Sequence, residues 1–223
     1  MKGKINEIFE SVQGEGLYLG EKQLFVRFSG CNLNCWFCDT NHRKFKEYEP
    51  QELFDIIKKH KNGHHSISFT GGEPLLQKDF LKEVMTLNRK NRFRNYLETN
   101  GTLPEAMEEL IDLVDIVAMD IKFPSSTGMD GYWQEHRRFL DIAYKRDVFL
   151  KAVVCVSTTE EDYRKALGLI KEHNKSVIFV LQPNSRENYR DLEQKIAKFK
   201  DIAKEEKAVV CVIPQMHRIA GVK

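Results

Sequence analysis

Apolar positions along this chain fall into two alternating rhythms. Short β-branched and aromatic runs predict strands over 24–28, 66–69, 96–97, 116–119, 148–156, 177–181 and 209–213. Between them, apolar residues recur at helical spacing. Pro50 opens one helix at its first turn, where a missing N–H costs nothing, and Leu53, Ile56 and Ile57 give that helix an apolar face. Further helices are predicted over 78–91, 104–113, 132–144, 160–172 and 187–203, the last with Tyr189, Leu192, Ile196, Phe199 and Ala203 on one stripe. Near-continuous apolar strands alternating with helices imply the α/β class, a parallel sheet with helices outside. About seven strands with six crossovers fit an open or partial (β/α) barrel of about six strand–helix units, since a closed barrel of eight takes roughly 250 residues and the chain has 223. No low-complexity segment, Pro/Gly-rich linker or charge block divides it, so a single domain over 1–223 is expected.

The polar motifs each follow a strand. A cysteine loop follows 24–28. Thr70-Gly71-Gly72-Glu73-Pro74 follows 66–69, Glu98-Thr99-Asn100-Gly101 follows 96–97, and Asp120-Ile121-Lys122 follows 116–119. Gln182-Pro183-Asn184 and Pro214-Gln215-Met216-His217 follow the last two strands. In a parallel barrel these strand ends share one face, and that face carries the site. One such loop would be an ordinary turn, but several gathered at one rim predict a single site.

The cysteine loop reads Cys31-Asn32-Leu33-Asn34-Cys35-Trp36-Phe37-Cys38. A structural zinc site closes with four ligands, and His42 could complete one here. An iron–sulfur cube normally takes four thiolates. Three of them can hold three irons and leave the fourth open to a cofactor or substrate. Cys155 and Cys211 each lie in a Val-Val-Cys-Val run and read as small buried hydrophobes. An odd cysteine count in a chain of this length argues against a disulfide framework.

Other residues add chemistry to the rim. Gly71 and Gly72 let the backbone approach a ligand, and Glu73 offers an acceptor for an ammonium. Asp120 and Lys122 put opposite charges side by side, and a surface ion pair is the plainer reading of them. Arg27 sits inside a strand between Val26 and Phe28, on the face of Phe25 and Ser29. A guanidinium there must be paired, either with a structural partner or with a bidentate anion such as a carboxylate. Gln13-Gly14-Glu15-Gly16 reads as a tight turn whose amide and carboxylate could meet the edge of a purine- or pterin-like ring.

Cys31-x3-Cys35-x2-Cys38 followed by Gly71-Gly72-Glu73-Pro74 resembles the radical S-adenosylmethionine superfamily. Within it, Glu10-Ser11-Val12-Gln13-Gly14-Glu15-Gly16, Arg27, Asp39-Thr40 and Lys122-Phe123-Pro124-Ser125-Ser126 resemble the branch that makes a carboxylated deazaguanine from 6-carboxy-5,6,7,8-tetrahydropterin. The resemblance runs from Ile8 to about His217. It implies a [4Fe-4S] cluster on Cys31, Cys35 and Cys38, and S-adenosylmethionine at its open iron. It implies that a 5′-deoxyadenosyl radical takes hydrogen from C6 of the pterin, after which the ring contracts and ammonia leaves. For S-adenosylmethionine it implies Gly71, Gly72 and Glu73 at the methionine end, with Phe37, Cys38, Asp39, Asp120, Ile121, Lys122 and Gln182 around the adenosine. For the pterin it implies Arg27 on the carboxylate and Val12, Gln13, Gly14, Glu15, Thr70 and His217 around the ring. For Mg2+ it implies the Thr40 hydroxyl. A glycyl-radical-enzyme activase carries the same cysteine spacing and is the alternative. It would need a protein partner, and a peptide substrate offers no reason for Arg27.

Composition narrows the partners. The net charge of +2 is near neutral, so nucleic acid is not implied. The run Arg89, Lys90, Arg92, Arg94 reads as a solvated helix end. No apolar run reaches the roughly 18–20 residues that span a bilayer, and the N-terminus lacks the apolar core of a signal peptide. A cytoplasmic, reducing location is expected, with an electron donor such as flavodoxin, a small-molecule substrate, and a homodimer as the assembly.

Overall fold

The computed structural model describes residues 1–38, 44–60, 63–173, 177–216 and 221. Strands β1 (Gly3–Val12), β2 (Lys22–Phe28) and β3 (Lys46–Tyr48) precede helix α1 (Pro50–Lys59). Then come β4 (Ser66–Gly71), α2 (Lys78–Lys90), β5 (Asn95–Thr99), α3 (Pro104–Leu110) and β6 (Ile116–Asp120). The chain continues through α4 (Pro124–Thr127), α5 (Trp133–Ala143), β7 (Asp147–Val154), α6 (Glu160–Lys171), β8 (Phe179–Pro183), α7 (Tyr189–Glu205) and β9 (Val210–Val212). The strands form one sheet in the order β3-β1-β2-β4-β5-β6-β7-β8-β9. It is open, with β3 and β9 at its ends.

From β2 to β9 every pairing is parallel, as the strand–helix alternation predicts. The N-terminal edge departs from that expectation. β1 runs antiparallel to β2, and β3 antiparallel to β1. Neither β1 nor β3 is visible in the apolar pattern, because β1 alternates Ile5 and Ile8 with Asn6, Glu7 and Glu10, and β3 is Lys-Glu-Tyr at an edge. α4, a helix of four residues, also escapes the pattern. The other elements start or stop within a few residues of the predicted ranges. α7 starts later than predicted because Asn188 caps it, its Oδ1 accepting from the Arg190 N–H at 3.1 Å.

Helix starts carry the local signals that such starts require. Glu52 reaches back to the Glu49 N–H at 2.9 Å, with Pro50 next in the chain. Thr159 accepts from the Asp162 N–H at 3.3 Å, and Glu160, Glu161 and Asp162 fill the positive end of α6.

The strand period of two sorts side chains between the faces of the sheet. Leu24, Val26, Phe28, Ile67, Phe69, Leu97, Val117, Met119, Leu150, Ala152, Phe179 and Leu181 join the large core beneath the helices. Burial of each Leu or Phe side chain there contributes about 1.5–3 kcal/mol. The alternate residues face inward. Tyr96, Ile116, Ala118, Phe149 and Val180 make a small apolar layer, with Tyr18 packed on it. Phe25 and Val153 add further apolar surface on this face, and its polar positions include Arg27, Ser68, Thr70, Glu98, Asp120, Lys151 and Gln182. The parallel sheet therefore presents an apolar floor and, toward the C-terminal strand ends, a polar wall.

Candidate functional site

A cleft of about 700 Å3 opens on this polar wall. Strand register sets its sides: Arg27 stands beside Thr70, Asp120 beside Lys151, and Val153 beside Gln182. The turn after β1 enters from the edge. Gly16 makes it possible, with φ of +66° and an ideal Cβ that would lie 2.6 Å from the Phe149 ring. Gln13 is thereby buried, and its Nε2 donates to Gln23 Oε1 at 3.0 Å and Glu98 Oε1 at 2.8 Å. Glu98 also accepts from Ser68 Oγ at 3.2 Å and Thr70 Oγ1 at 3.0 Å. Gly14 accepts from the Met216 N–H at 3.0 Å.

Charges of both signs alternate across the cleft. Glu15 forms an ion pair with Lys151 and accepts from Gln215 Nε2 at 2.7 Å. Lys151 stands 3.6 Å from Asp120, which pairs with Lys122 at 2.9 Å. Burial opposes the charge on Lys151, and the carboxylates of Glu15, Asp120 and Glu98 outweigh it, holding the ammonium above the usual lysine range. Lys122 follows the same logic, with Asp120 outweighing burial. Among the described residues, Asp120 Oδ1 and Gln182 Oε1 are buried acceptors with no hydrogen-bond partner. Both side chains line the cleft, so a ligand with donor groups would satisfy them.

Cys31, Cys35 and Cys38 all line the same cleft. Their loop is held by a bond of its own and from two sides. The Cys38 N–H bonds to Cys35 O at 3.0 Å. Trp36 Nε1 donates to Ser126 O at 2.6 Å. Arg186, from the loop after β8, reaches Trp36 O at 3.1 Å and Cys38 O at 2.6 Å. Burial pushes the Cys31 and Cys35 thiols up, so a bound metal must displace their protons. Among the described residues no three potential ligands could hold a single ion. A cube suits the set better, because each thiolate takes a different iron and the three need not converge on one point. Cys155 is fully buried and accepts from Asn184 Nδ2, and Cys211 lies on the last strand. Neither lines the cleft.

Gly71 and Gly72 are required by close backbone approach. Gly71 has φ of +119°, and an ideal Cβ on it would lie 2.3 Å from Phe28 O. A Cβ on Gly72 would lie 1.8 Å from Gly30 O and 3.2 Å from the Cys31 Cβ. The second glycine therefore seats the cysteine loop. We predict that Gly72→Val displaces that loop and lowers iron uptake on reconstitution, before any effect on ligand binding. Parental iron content in this variant would refute the seating role.

Glu73 is buried under the rim and does not line the cleft. Its carboxylate accepts from the Leu75 N–H at 3.1 Å, Thr99 Oγ1 at 2.9 Å and the Asn100 N–H at 2.8 Å. Burial raises its pKa to about 7 against those three donors. Ile121 is buried too, its N–H bonded to Lys151 O at 2.7 Å. Val12, Gln13, Gly14, Glu15, Arg27, Phe37, Thr70, Gly71, Gly72, Asp120, Lys122 and Gln182 line the cleft. Asp39, Thr40, His42 and His217 lie outside the described residues.

The structure also brings in Lys151, which the motif reading left out, and Glu98, Asn100 and Gln215, which that reading placed at the rim without a role. Lys151 had a signal: it is the one charge within Val-Phe-Leu-Lys-Ala-Val-Val, the same anomaly that marks Arg27. Glu98 likewise shares a strand face with Tyr96.

Comparisons with known proteins fit this geometry. The model of the radical SAM superfamily matches residues 25–196. A 7-carboxy-7-deazaguanine synthase from Geobacter sulfurreducens is 36% identical, over 98% of this chain and 97% of that protein. One from Methanothermobacter thermautotrophicus is 34% identical, over 100% of this chain and 99% of its own. The crystal structure of QueE from Escherichia coli shares the fold, with a TM-score of 0.65 and 22% identity over 95% of this chain and 93% of that one.

Proposed function

The chain belongs to the radical S-adenosylmethionine superfamily and, within it, to the 7-carboxy-7-deazaguanine synthases, and on that premise we propose that it converts 6-carboxy-5,6,7,8-tetrahydropterin to 7-carboxy-7-deazaguanine. The step releases ammonia, a carbon–nitrogen lyase reaction of deazapurine and queuosine biosynthesis. The superfamily implies a [4Fe-4S] cluster and S-adenosylmethionine as cofactors, and Cys31, Cys35 and Cys38 would hold the cluster. When bound, the two supply one electron and a carbon-centred radical that removes hydrogen from the substrate.

The observation that carries the reading is Arg27 on the inner face of the sheet. Its guanidinium lies over the Phe9 ring at 5.4 Å and near Glu7 at 3.7 Å, and it opens on the cleft beside Thr70. A planar fork of donors in an aromatic setting suits a substrate carboxylate. Gln13, Glu15 and Thr70 would read the ring edge, with Val12 and Gly14 shaping the turn and His217 assisting. Glu98 keeps Gln13 and Thr70 oriented. On the cofactor side, Gly71 and Gly72 would expose backbone to the methionine end, and Glu73 would brace them from behind. Asp120 and Gln182 would accept from the adenosine's hydroxyl or amino groups, flanked by Phe37, Asp39 and Lys122, with Ile121 packed behind them in the core. Lys151 joins the two halves by pairing with both Glu15 and Asp120.

Thr40 would supply one oxygen to Mg2+, a cation that keeps several waters and often takes substrate oxygens. A flavodoxin-type donor, a homodimer and a cytoplasmic location complete the proposal. An open iron needs a reducing compartment, and among the described residues no helix is long and apolar enough to cross a membrane. The test is anaerobic turnover of the carboxylated pterin by reconstituted protein with S-adenosylmethionine and a reductant, run with and without Mg2+. Product formation stimulated by Mg2+, with the stimulation weakened in Thr40→Val, is the expected result. No product under any of these conditions would defeat the assignment.

A further inference from the structure

We propose that Asn100 tunes the iron–sulfur cluster, donating a side-chain N–H to the sulfur of Cys31 and so raising the cluster's reduction potential. The proposal rests on the assignment of the cluster to Cys31, Cys35 and Cys38. Asn100 follows β5 and is 5% exposed. Its neighbours fix which way its amide points. Oδ1 accepts from the Thr102 N–H at 3.0 Å and the Thr102 hydroxyl at 2.6 Å, so the amino group faces the other way. There Nδ2 donates to Asn32 Oδ1 at 2.9 Å and lies 3.9 Å from Cys31 Sγ. Asn32 in turn donates to Thr102 Oγ1 at 2.8 Å. The three side chains close a ring beside the first cysteine.

The Asn100 backbone is anchored as firmly. Its N–H bonds to Glu73 Oε2 at 2.8 Å, and its carbonyl accepts from His136 Nε2 at 3.1 Å. His136 is fully buried, and burial pushes its pKa down to about 4 although the Asn100 carbonyl opposes this. The ring is therefore neutral, with its proton on Nε2. Glu73 and His136 thus hold from two sides the residue whose amide meets the cysteine.

A cluster thiolate is a stronger acceptor than a free thiol. Reduction adds negative charge to the cluster, so a donor to its sulfur favours the reduced form and raises the potential. Asn100 is a positioning residue in this scheme, since it acts through Cys31.

The test is an anaerobic redox titration of the reconstituted protein followed by electron paramagnetic resonance. Asn100→Asp keeps the oxygen that serves Thr102 and removes the donor. It should retain the parental iron content and show a lower midpoint potential. Asp also adds a negative charge that lowers the potential by itself, so the neutral, similarly shaped Asn100→Leu protein should shift in the same direction. Asn32→Ala opens the same ring but leaves the donor, and its potential should stay near the parental value. A parental potential in Asn100→Asp or Asn100→Leu, or an equal shift in Asn32→Ala, would overturn the proposal. If Asn100→Asp loses its cluster, the Asn32→Ala protein decides. Grown with asparagine labelled with 15N at the side-chain amide, its reduced cluster should show a 15N coupling in pulsed spectra, and absence of that coupling overturns the donor. A parental protein that takes up no iron overturns the cluster assignment itself, and its missing iron tells that failure apart.

Discussion

Replacing any one of Cys31, Cys35 and Cys38 by Ala should abolish reductive cleavage of S-adenosylmethionine, while Cys155→Ala and Cys211→Ala should retain it. The size of the effect follows from ligand number. Three thiolates already leave one iron without a protein ligand, and two would leave half the cube unsupported. The three thiols line one cleft, whereas Cys155 is buried just past the end of β7 without lining that cleft, and Cys211 lies on the edge strand. Losing the Cys155 sulfur costs packing and its contact with Asn184, so that variant should lose stability rather than iron. Iron and sulfide analysis together with S-adenosylmethionine cleavage checks both halves. Iron lost from a folded Cys155→Ala or Cys211→Ala protein would show that the ligand set is wrong.

Arg27→Ala should cripple turnover of the carboxylated pterin and leave the cluster and uncoupled cleavage of S-adenosylmethionine intact. Removing one member of a desolvated charge pair costs about 3–5 kcal/mol. Arg27 keeps 25% of its side-chain surface exposed, which favours the lower end. About 3 kcal/mol corresponds to a loss on the order of a hundredfold. Arg27→Lys should recover little, because a point charge cannot reproduce a two-point contact. The readout is kcat/KM for the pterin beside the rate of uncoupled cleavage. Parental kcat/KM in both variants would remove the carboxylate pocket from the account and revive a peptide-activating role.

Much of the fold can be read from apolar periodicity, because buried parallel strands and amphipathic helices both concentrate apolar residues. β1 is the informative failure. Half of its residues are only partly covered, so it carries charges at Glu7 and Glu10 and resembles a loop. The site divides along a similar line. Arg27 stands out because a charge in an apolar strand needs a partner, and Lys151 satisfies the same criterion within a longer run. Gly71 and Gly72 can be recognised as a motif, but their reason, the Gly30 backbone, needs tertiary structure. Glu73 shows this most clearly. Its place in the motif suggests a ligand contact, yet burial and three donors make it a brace for Thr99 and Asn100. Asn100 itself looks like a turn residue until the fold sets Cys31 beside it.

The central claim is the conversion of the pterin, and one measurement tests it most directly. Anaerobically reconstituted protein is given 6-carboxy-5,6,7,8-tetrahydropterin, S-adenosylmethionine, Mg2+ and a reductant, and products are followed by mass spectrometry beside an ammonia assay. The account predicts 7-carboxy-7-deazaguanine and ammonia in equal amounts, both absent in Cys35→Ala. Cleavage of S-adenosylmethionine with the pterin recovered unchanged would contradict it.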